Sequence, residues 1–204
     1  MLVSGEGTNL QAILDRLHGR DGVEVVCVGA SRESARGLER ARAAGIEAAA
    51  FEAAAHTDRE ARDLALAGWL DAHGASLVVL AGFMELLSPA FVARFRGRIL
   101  NVHPSLLPAF PGTRAIEQAV EYGVRVTGVT VHFVDEGVDT GPIVAQRPLD
   151  LPYPADIAEV EERVHQIEHD LLPQAVRMIA DGAVSIDPTN PRRVLLAEAP
   201  PWTP

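Results

Sequence analysis

The sequence predicts an α/β fold: a mostly parallel, twisted, Rossmann-like sheet with helices on both faces, antiparallel strands in the C-terminal half and a long C-terminal helix. Three observations carry this. Short apolar runs alternate with amphipathic segments from Leu2 to Tyr122, the pattern of strands joined by crossover helices. From Arg125 the alternation gives way to two strand-like runs, Arg125 to Val134 and Ile143 to Leu149, joined by Asp135 to Pro142. A helical apolar stripe then extends from about Ala155 to Ala180. At 204 residues the chain is long enough for one well-buried domain. That domain is assigned to residues 1–187, with 188–204 as a proline-rich surface tail.

The elements follow in order. Leu2-Val3 reads as the tail of a strand, clipped because only three residues precede Ser4. Leu10, Ile13, Leu14 and Leu17 have the i, i+3, i+4, i+7 spacing of a helix that Gly19 ends. Val23 to Gly29 is an apolar run suited to a buried parallel strand. Glu33 to Ala44 is helical up to Gly45, and Ile46 to Phe51 is a short strand. Thr57 and Glu60 have the spacing of a capping box, opening a helix to about His73. Leu77 to Ala81 is strand. Ser88-Pro89 is a cap followed by proline at the first helical position. Arg98 to Val102 is strand, and Thr113 to Tyr122 helix. In the final helix the expected stripe is Ile157, Val160, Val164, Ile167, Leu171 and Ile179, with a kink at Pro173.

Composition excludes several classes. The net charge of −10 disfavours a general nucleic-acid surface, though a local basic pocket for one phosphorylated small molecule is compatible with it. All 18 basic residues are arginine, which removes Schiff-base chemistry and a P-loop lysine. The one cysteine, Cys27, has no intramolecular partner and sits in the apolar run Val25 to Val28 as a small buried hydrophobe. No apolar stretch approaches the ~18 residues of a membrane span, and the N-terminus lacks a signal pattern. The expected compartment is the cytoplasm. No Cys/His cluster is present to hold a metal.

Two loops carry the chemistry. In Ser4-Gly5-Glu6-Gly7-Thr8-Asn9 the glycines let backbone approach an anion, and the following helix aims its unpaired N–H groups and positive dipole end at the same place. Leu10 stands where a dinucleotide fingerprint would have its third glycine. A tight strand-to-helix turn with an Asn/Thr cap explains the same residues. Glu6 is an awkward neighbour for phosphate, so its side chain is expected to point away. In the second loop, Asn101 and His103 share one face of a strand that ends at Pro104. An amide and an imidazole there can stabilise an oxyanion. A lone strand-end histidine is more often structural, and Asp139, set between glycines, reads alone as a turn residue.

Ser-Gly-x-Gly-Thr-Asn-Leu at 4–10, Ala-Gly-Phe-Met at 81–84, Asn-Val-His-Pro-Ser-Leu-Leu-Pro at 101–108 and Asp-Thr-Gly-Pro-Ile at 139–143 together resemble the folate-dependent formyltransferases. The likeness is strongest to the members that formylate glycinamide ribonucleotide in de novo purine synthesis, and it covers essentially the whole chain in order. The resemblance implies Asn101, His103 and Asp139 as a catalytic trio. It implies Gly7, Thr8 and Asn9 on the substrate phosphate and Glu168 on its ribose, with His165 beside it. It implies Arg59, Met84, Glu85, Leu86, Leu87, Asn101, Asp135, Glu136, Gly137, Val138 and Asp139 around the folate, and a cis Leu107–Pro108 bond. The co-substrates would be 10-formyltetrahydrofolate and glycinamide ribonucleotide, with no metal, no nucleic acid and no membrane, in a monomer or weak homodimer. The N-terminal half would then bind phosphate, and the C-terminal half bind folate and catalyse.

The implied reaction is attack of the amine on the formyl carbon at N10 of the folate. Asn101 and a protonated His103 would donate to the tetrahedral oxyanion, while Asp139 keeps His103 cationic and takes or relays the amine proton. Formyltetrahydrofolate deformylase shares the trio but usually adds an N-terminal regulatory domain. Methionyl-tRNA formyltransferase adds a C-terminal domain and a basic face. Nucleotide-sugar formyltransferases, and a binding module with a dead site, complete the alternatives.

Overall fold

The computed structural model describes residues 1–20 and 22–197. The chain divides into two compact units, Met1–Asn101 and Val102–Pro204.

In the first unit, β1 (Leu2–Val3) leads to α1 (Thr8–Arg16), β2 (Cys27–Ala30), α2 (Arg36–Ala43), β3 (Glu47–Ala50), a 3-10 turn (Ala53–Ala55), α3 (Arg59–Ala72), β4 (Val78–Leu80), α4 (Pro89–Arg94) and β5 (Ile99–His103), which runs on into the second unit. The strands are parallel in the order β3-β2-β1-β4-β5. Because β1 lies between β2 and β4, the strand order reverses there. The loops that follow β1 and β4 leave the same end of the sheet at that switch point, where open α/β sheets bind ligands.

Several expected boundaries move. The apolar run from Val23 enters the sheet only at Cys27. Val23 is taken by a turn in which the Gly19 amide donates to its carbonyl at 3.0 Å and its own amide donates to the Arg20 carbonyl at 2.9 Å. Val26 is left exposed. Helix α2 starts at Arg36 rather than Glu33, whose amide donates instead to Glu52 Oε1 at 2.9 Å. The cap of α3 is Asp58 rather than Thr57: the Asp58 carboxylate accepts from the Ala61 amide at 2.8 Å, and with alanine three residues after the cap the expected capping box is not formed. Ser88 caps α4 as expected, accepting from the Phe91 amide at 3.3 Å with Pro89 next. Cys27 is buried in β2.

The second unit holds α5 (Ala115–Tyr122), the antiparallel hairpin β6 (Val126–Phe133) and β7 (Ile143–Asp150), α6 (Ile157–Ala180), and a small antiparallel pair, β8 (Val184–Ile186) and β9 (Val194–Leu196). The hairpin register shifts between Val131 and His132, a bulge that re-aims the strand end. The buried face of α6 is Val160, Val164, Glu168, Leu171, Leu172, Ala175 and Val176. This corrects the expected stripe: Ile157 is exposed, Ile167 and Ile179 are only partly buried, and a carboxylate occupies the middle of the apolar face. The helix runs through Pro173. Of the tail 188–204, Val194–Leu196 pairs with β8 as β9, and residues 198–204 lie outside the described residues.

These elements give the expected class: a mostly parallel α/β sheet, antiparallel strands in the C-terminal half, and a long helix after them.

Candidate active site

In the first unit, the loop after β1 ends at Gly7, the N-cap of α1, with φ 70 and ψ 33. That left-handed conformation suits glycine, and space demands glycine as well: a Cβ there would lie 2.7 Å from Gly37 Cα. The cap has no side chain with which to bond the first-turn amides, and no acidic residue occupies that turn. The start of α1 thus carries no side-chain cap, and its positive dipole end is of the sign that suits an anion. Glu6 turns to α2, its Oε2 accepting from Arg36 Nη1 at 2.9 Å and its carbonyl from Arg40 Nε at 2.8 Å.

Buried Ser4 ties this loop to the segment after β4. Its amide donates to the Gly82 carbonyl at 3.1 Å, and its Oγ accepts from the Met84 amide at 2.9 Å and from Ser31 Oγ at 2.8 Å. Met84 and Leu86 present exposed apolar side chains there, and Arg59 is exposed at the start of α3. Asn101 lies two residues before His103 in β5, on the same face of the strand.

In the second unit, His103 is buried, 4% exposed. Its Nε2 lies 2.9 Å from the Phe110 carbonyl, which can only accept, so Nε2 carries the hydrogen. Its Nδ1 faces Asp139 Oδ2 at 3.4 Å. Asp139 Oδ2 also accepts from the Gly112 amide at 2.8 Å, and Oδ1 lies 3.7 Å from His132 Nε2. Asp139 holds a left-handed backbone at φ 53 and Phe110 one at φ 51. Aspartate tolerates that region better than most side chains, and phenylalanine does not.

The loop between His103 and α5 is fixed to the hairpin. Thr130 Oγ1 accepts from the Leu107 amide at 3.1 Å and donates to the Ser105 carbonyl at 2.7 Å, while Gln146 Nε2 donates to the Leu107 carbonyl at 2.9 Å. The Leu107–Pro108 bond is cis as expected, and so is Tyr153–Pro154, for which the sequence offered no sign. On the other side, Asp135 Oδ1 accepts from the Gly137 amide at 3.1 Å and Thr140 Oγ1 at 2.6 Å, closing the loop that ends at Asp139. A Cβ on Gly141 would sit 1.8 Å from the Phe133 carbonyl oxygen, so only glycine lets the chain turn into β7 here.

The electrostatics of the pair are set by opposing effects. Burial pushes His103 down and the neighbouring His132 adds to this; together they outweigh the Phe110 carbonyl and the Asp139 carboxylate, so its pKa lies below the ordinary 6.5. Burial pushes Asp139 up, but His132, the Gly112 amide and His103 together hold it down at about 2. At neutral pH the free enzyme thus holds an ionised Asp139 beside a mostly neutral His103. Desolvation, which a sequence does not display, thus works against the imidazolium that the resemblance implies. The result is a buried imidazole beside a partly buried carboxylate, a pair able to take up one proton.

Glu168 is buried, 6% exposed, on α6, with His165 exposed one turn earlier. Sequence reasoning missed His132, Ser4 and Arg62. His132 had a visible sign, a lone histidine inside the apolar run Val129 to Val134. Arg62 had none, because a helical arginine is ordinarily solvated.

A strand-end imidazole beside an ionised carboxylate in an α/β fold suits the acyl- and formyl-transfer class of enzyme. The formyl transferase family model matches residues 1–176, so the chain belongs to that family and its activity is folate-dependent transfer of a formyl group. Phosphoribosylglycinamide formyltransferase of Mycobacterium tuberculosis (strain CDC 1551 / Oshkosh) is 45% identical over 186 residues, which is 91% of this chain and 86% of that protein. The Bacillus subtilis (strain 168) protein of the same name is 38% identical over 183 residues, 88% of this chain and 92% of that one. Among solved structures, glycinamide ribonucleotide transformylase 1 from Symbiobacterium toebii superposes with a TM-score of 0.92 at 46% identity, covering 97% of this chain and 92% of that chain.

Proposed function

We propose that this chain transfers the formyl group of 10-formyltetrahydrofolate to the amine of glycinamide ribonucleotide, in de novo purine synthesis and in the cytoplasm, as a monomer or weak homodimer. Residues 1–187 work as one formyltransferase domain. The observation that carries the chemistry is the His103–Asp139 pair, 3.4 Å apart, with the imidazole buried and the carboxylate held ionised. The names of the relatives support the choice of substrate.

In this reading Gly7, Thr8 and Asn9 hold the ribonucleotide phosphate and Glu168 its ribose. Arg59, Met84 to Leu87 and Asp135 to Asp139 hold the folate, with Asn101 at the formyl oxygen. The substrate amine attacks the formyl carbon and its nitrogen loses a proton to the His103–Asp139 pair. The proton converts neutral His103 to an imidazolium while negative charge grows on the formyl oxygen. Asn101 then donates to the oxyanion, one such donor being worth about 3–4 kcal/mol in a preorganised site, and the imidazolium stabilises it by its charge. Collapse breaks the bond to folate N10, which takes the proton back from the His103–Asp139 pair and leaves as the N–H form, restoring neutral His103. The residues need no metal, and among the described residues no group of three or more His, Cys, Asp or Glu side chains is arranged to hold one.

The test separates transferase from hydrolase, since both pass through a tetrahedral centre. A tethered amine converts attack into an effectively local event, and water gains nothing from a phosphate site. Release of tetrahydrofolate should therefore depend on added glycinamide ribonucleotide. Fast turnover indifferent to the amine would make the chain a deformylase.

A further inference from the structure

Arg62 lies in the first turn of α3 with its side chain 2% exposed, and its neighbour Asp63 is fully buried. The guanidinium donates to Asp63 Oδ1 through Nε at 2.9 Å and Nη2 at 2.8 Å. Its remaining donors leave the helix: Nη1 reaches Glu85 Oε2 at 3.1 Å and Nη2 the Leu86 carbonyl at 3.4 Å. The second oxygen of Asp63 accepts from the Ser88 amide at 2.5 Å. The segment between β4 and α4 has no regular secondary structure. One buried ion pair thus grips it at Glu85, Leu86 and Ser88, and Ser4 holds its other end at Gly82 and Met84.

A buried ion pair adds little to stability compared with apolar side chains of the same volume, because both charges lose their hydration. What it supplies is direction: a guanidinium fork has fixed donor angles, so its acceptors are held in one arrangement. Here those acceptors are on the exposed lip that carries Met84 and Leu86. Arg62 also sets a counter-charge behind Glu85, whose carboxylate is 43% exposed on the lip to which the anionic folate is assigned.

We propose that Arg62, backed by Asp63, is a positioning residue for the folate: it fixes the Met84–Leu87 lip in its binding shape and neutralises Glu85 there. The inference rests on the assignment of that lip to the folate. Arg62→Met should raise KM for the formylfolate about tenfold, the cost of a small misplacement at a binding surface. Its kcat and its KM for glycinamide ribonucleotide should stay within about twofold, since only folate binding is touched. A purely structural anchor would instead lower the fraction of active enzyme, and with it kcat, at unchanged KM. Leu86→Asp tests the underlying assignment. If it leaves KM for the formylfolate unchanged, the lip does not bind folate and the inference falls with that reading. If it raises KM while folded Arg62→Met does not, the inference alone is overturned. Should Arg62→Met fail to fold, Arg62→Lys decides, because it keeps the buried charge and loses the fork's fixed donor angles: a KM rise of about threefold supports the proposal, and an unchanged KM overturns it.

Discussion

His103 and Asp139 show what one residue's surroundings decide. Replacing either by Ala or Asn, respectively, should lower kcat by about 10²–10⁴, the range for acid–base and oxyanion groups, with KM little changed. The pH dependence has a definite sign. The pair must be deprotonated at His103 to take the amine proton, and burial puts that pKa below 6.5. kcat/KM should therefore be constant above pH 6.5 on account of this group and fall as pH drops through its lowered pKa. A limb centred above 6.5 would count against the assignment. That Asn101 and His103 share a strand face was legible from strand alternation, whereas Asp139 read as a turn residue and joined them only through the family resemblance. The charge state of His103 was not legible, because it depends on burial. Nor was the contact of His132 with Asp139, which needs the bulge after Val131 to aim it.

At the scale of elements, the hairpin β6–β7 presents the acid. Its loop is closed by Asp135 on Gly137 and Thr140, and re-enters β7 past the Phe133 carbonyl. Gly141→Ala should force that carbonyl and Asp139 apart, lowering kcat/KM by about 10²-fold while far-ultraviolet circular dichroism stays native. Activity within threefold of the parent would show that the loop adapts. Element types followed from periodicity, and their boundaries moved where a side chain competed for a backbone amide. Glu52 takes the Glu33 amide and delays α2, and Asp58 displaces Thr57 as cap. In α6 the period was visible but the phase was not, since Glu168 lies on the apolar face and periodicity counts it as polar.

The whole molecule carries a net charge of −10 and is expected to bind two anionic co-substrates. Local backbone donors, rather than overall charge, then have to hold the phosphate, and binding should appear as stability. Glycinamide ribonucleotide at a hundredfold its Kd stabilises the native state by about 2.7 kcal/mol, roughly 5–10 °C in Tm for a chain of this size. Glycinamide lacking the ribose phosphate should give a far smaller shift in scanning calorimetry, and equal shifts would remove the phosphate from the account. The α/β class was readable from the order of apolar runs. The two compact units were not, because the division falls inside β5, a strand with no break in its pattern.

The glycine at position 37 has a consequence of a different kind. A Cβ on Gly37 would lie 2.7 Å from Val3 Cγ2, and one on Gly7 would lie 2.7 Å from Gly37 Cα. Strand, second helix and first loop are therefore stacked like shims with no clearance between them. The thickness of the middle one gauges how far the head of α1 stands from the sheet. A methyl group added at 37 would shift that loop by a fraction of an ångström without altering any residue in it. The standing of the first loop is thus set on α2, at a residue outside the loop it governs.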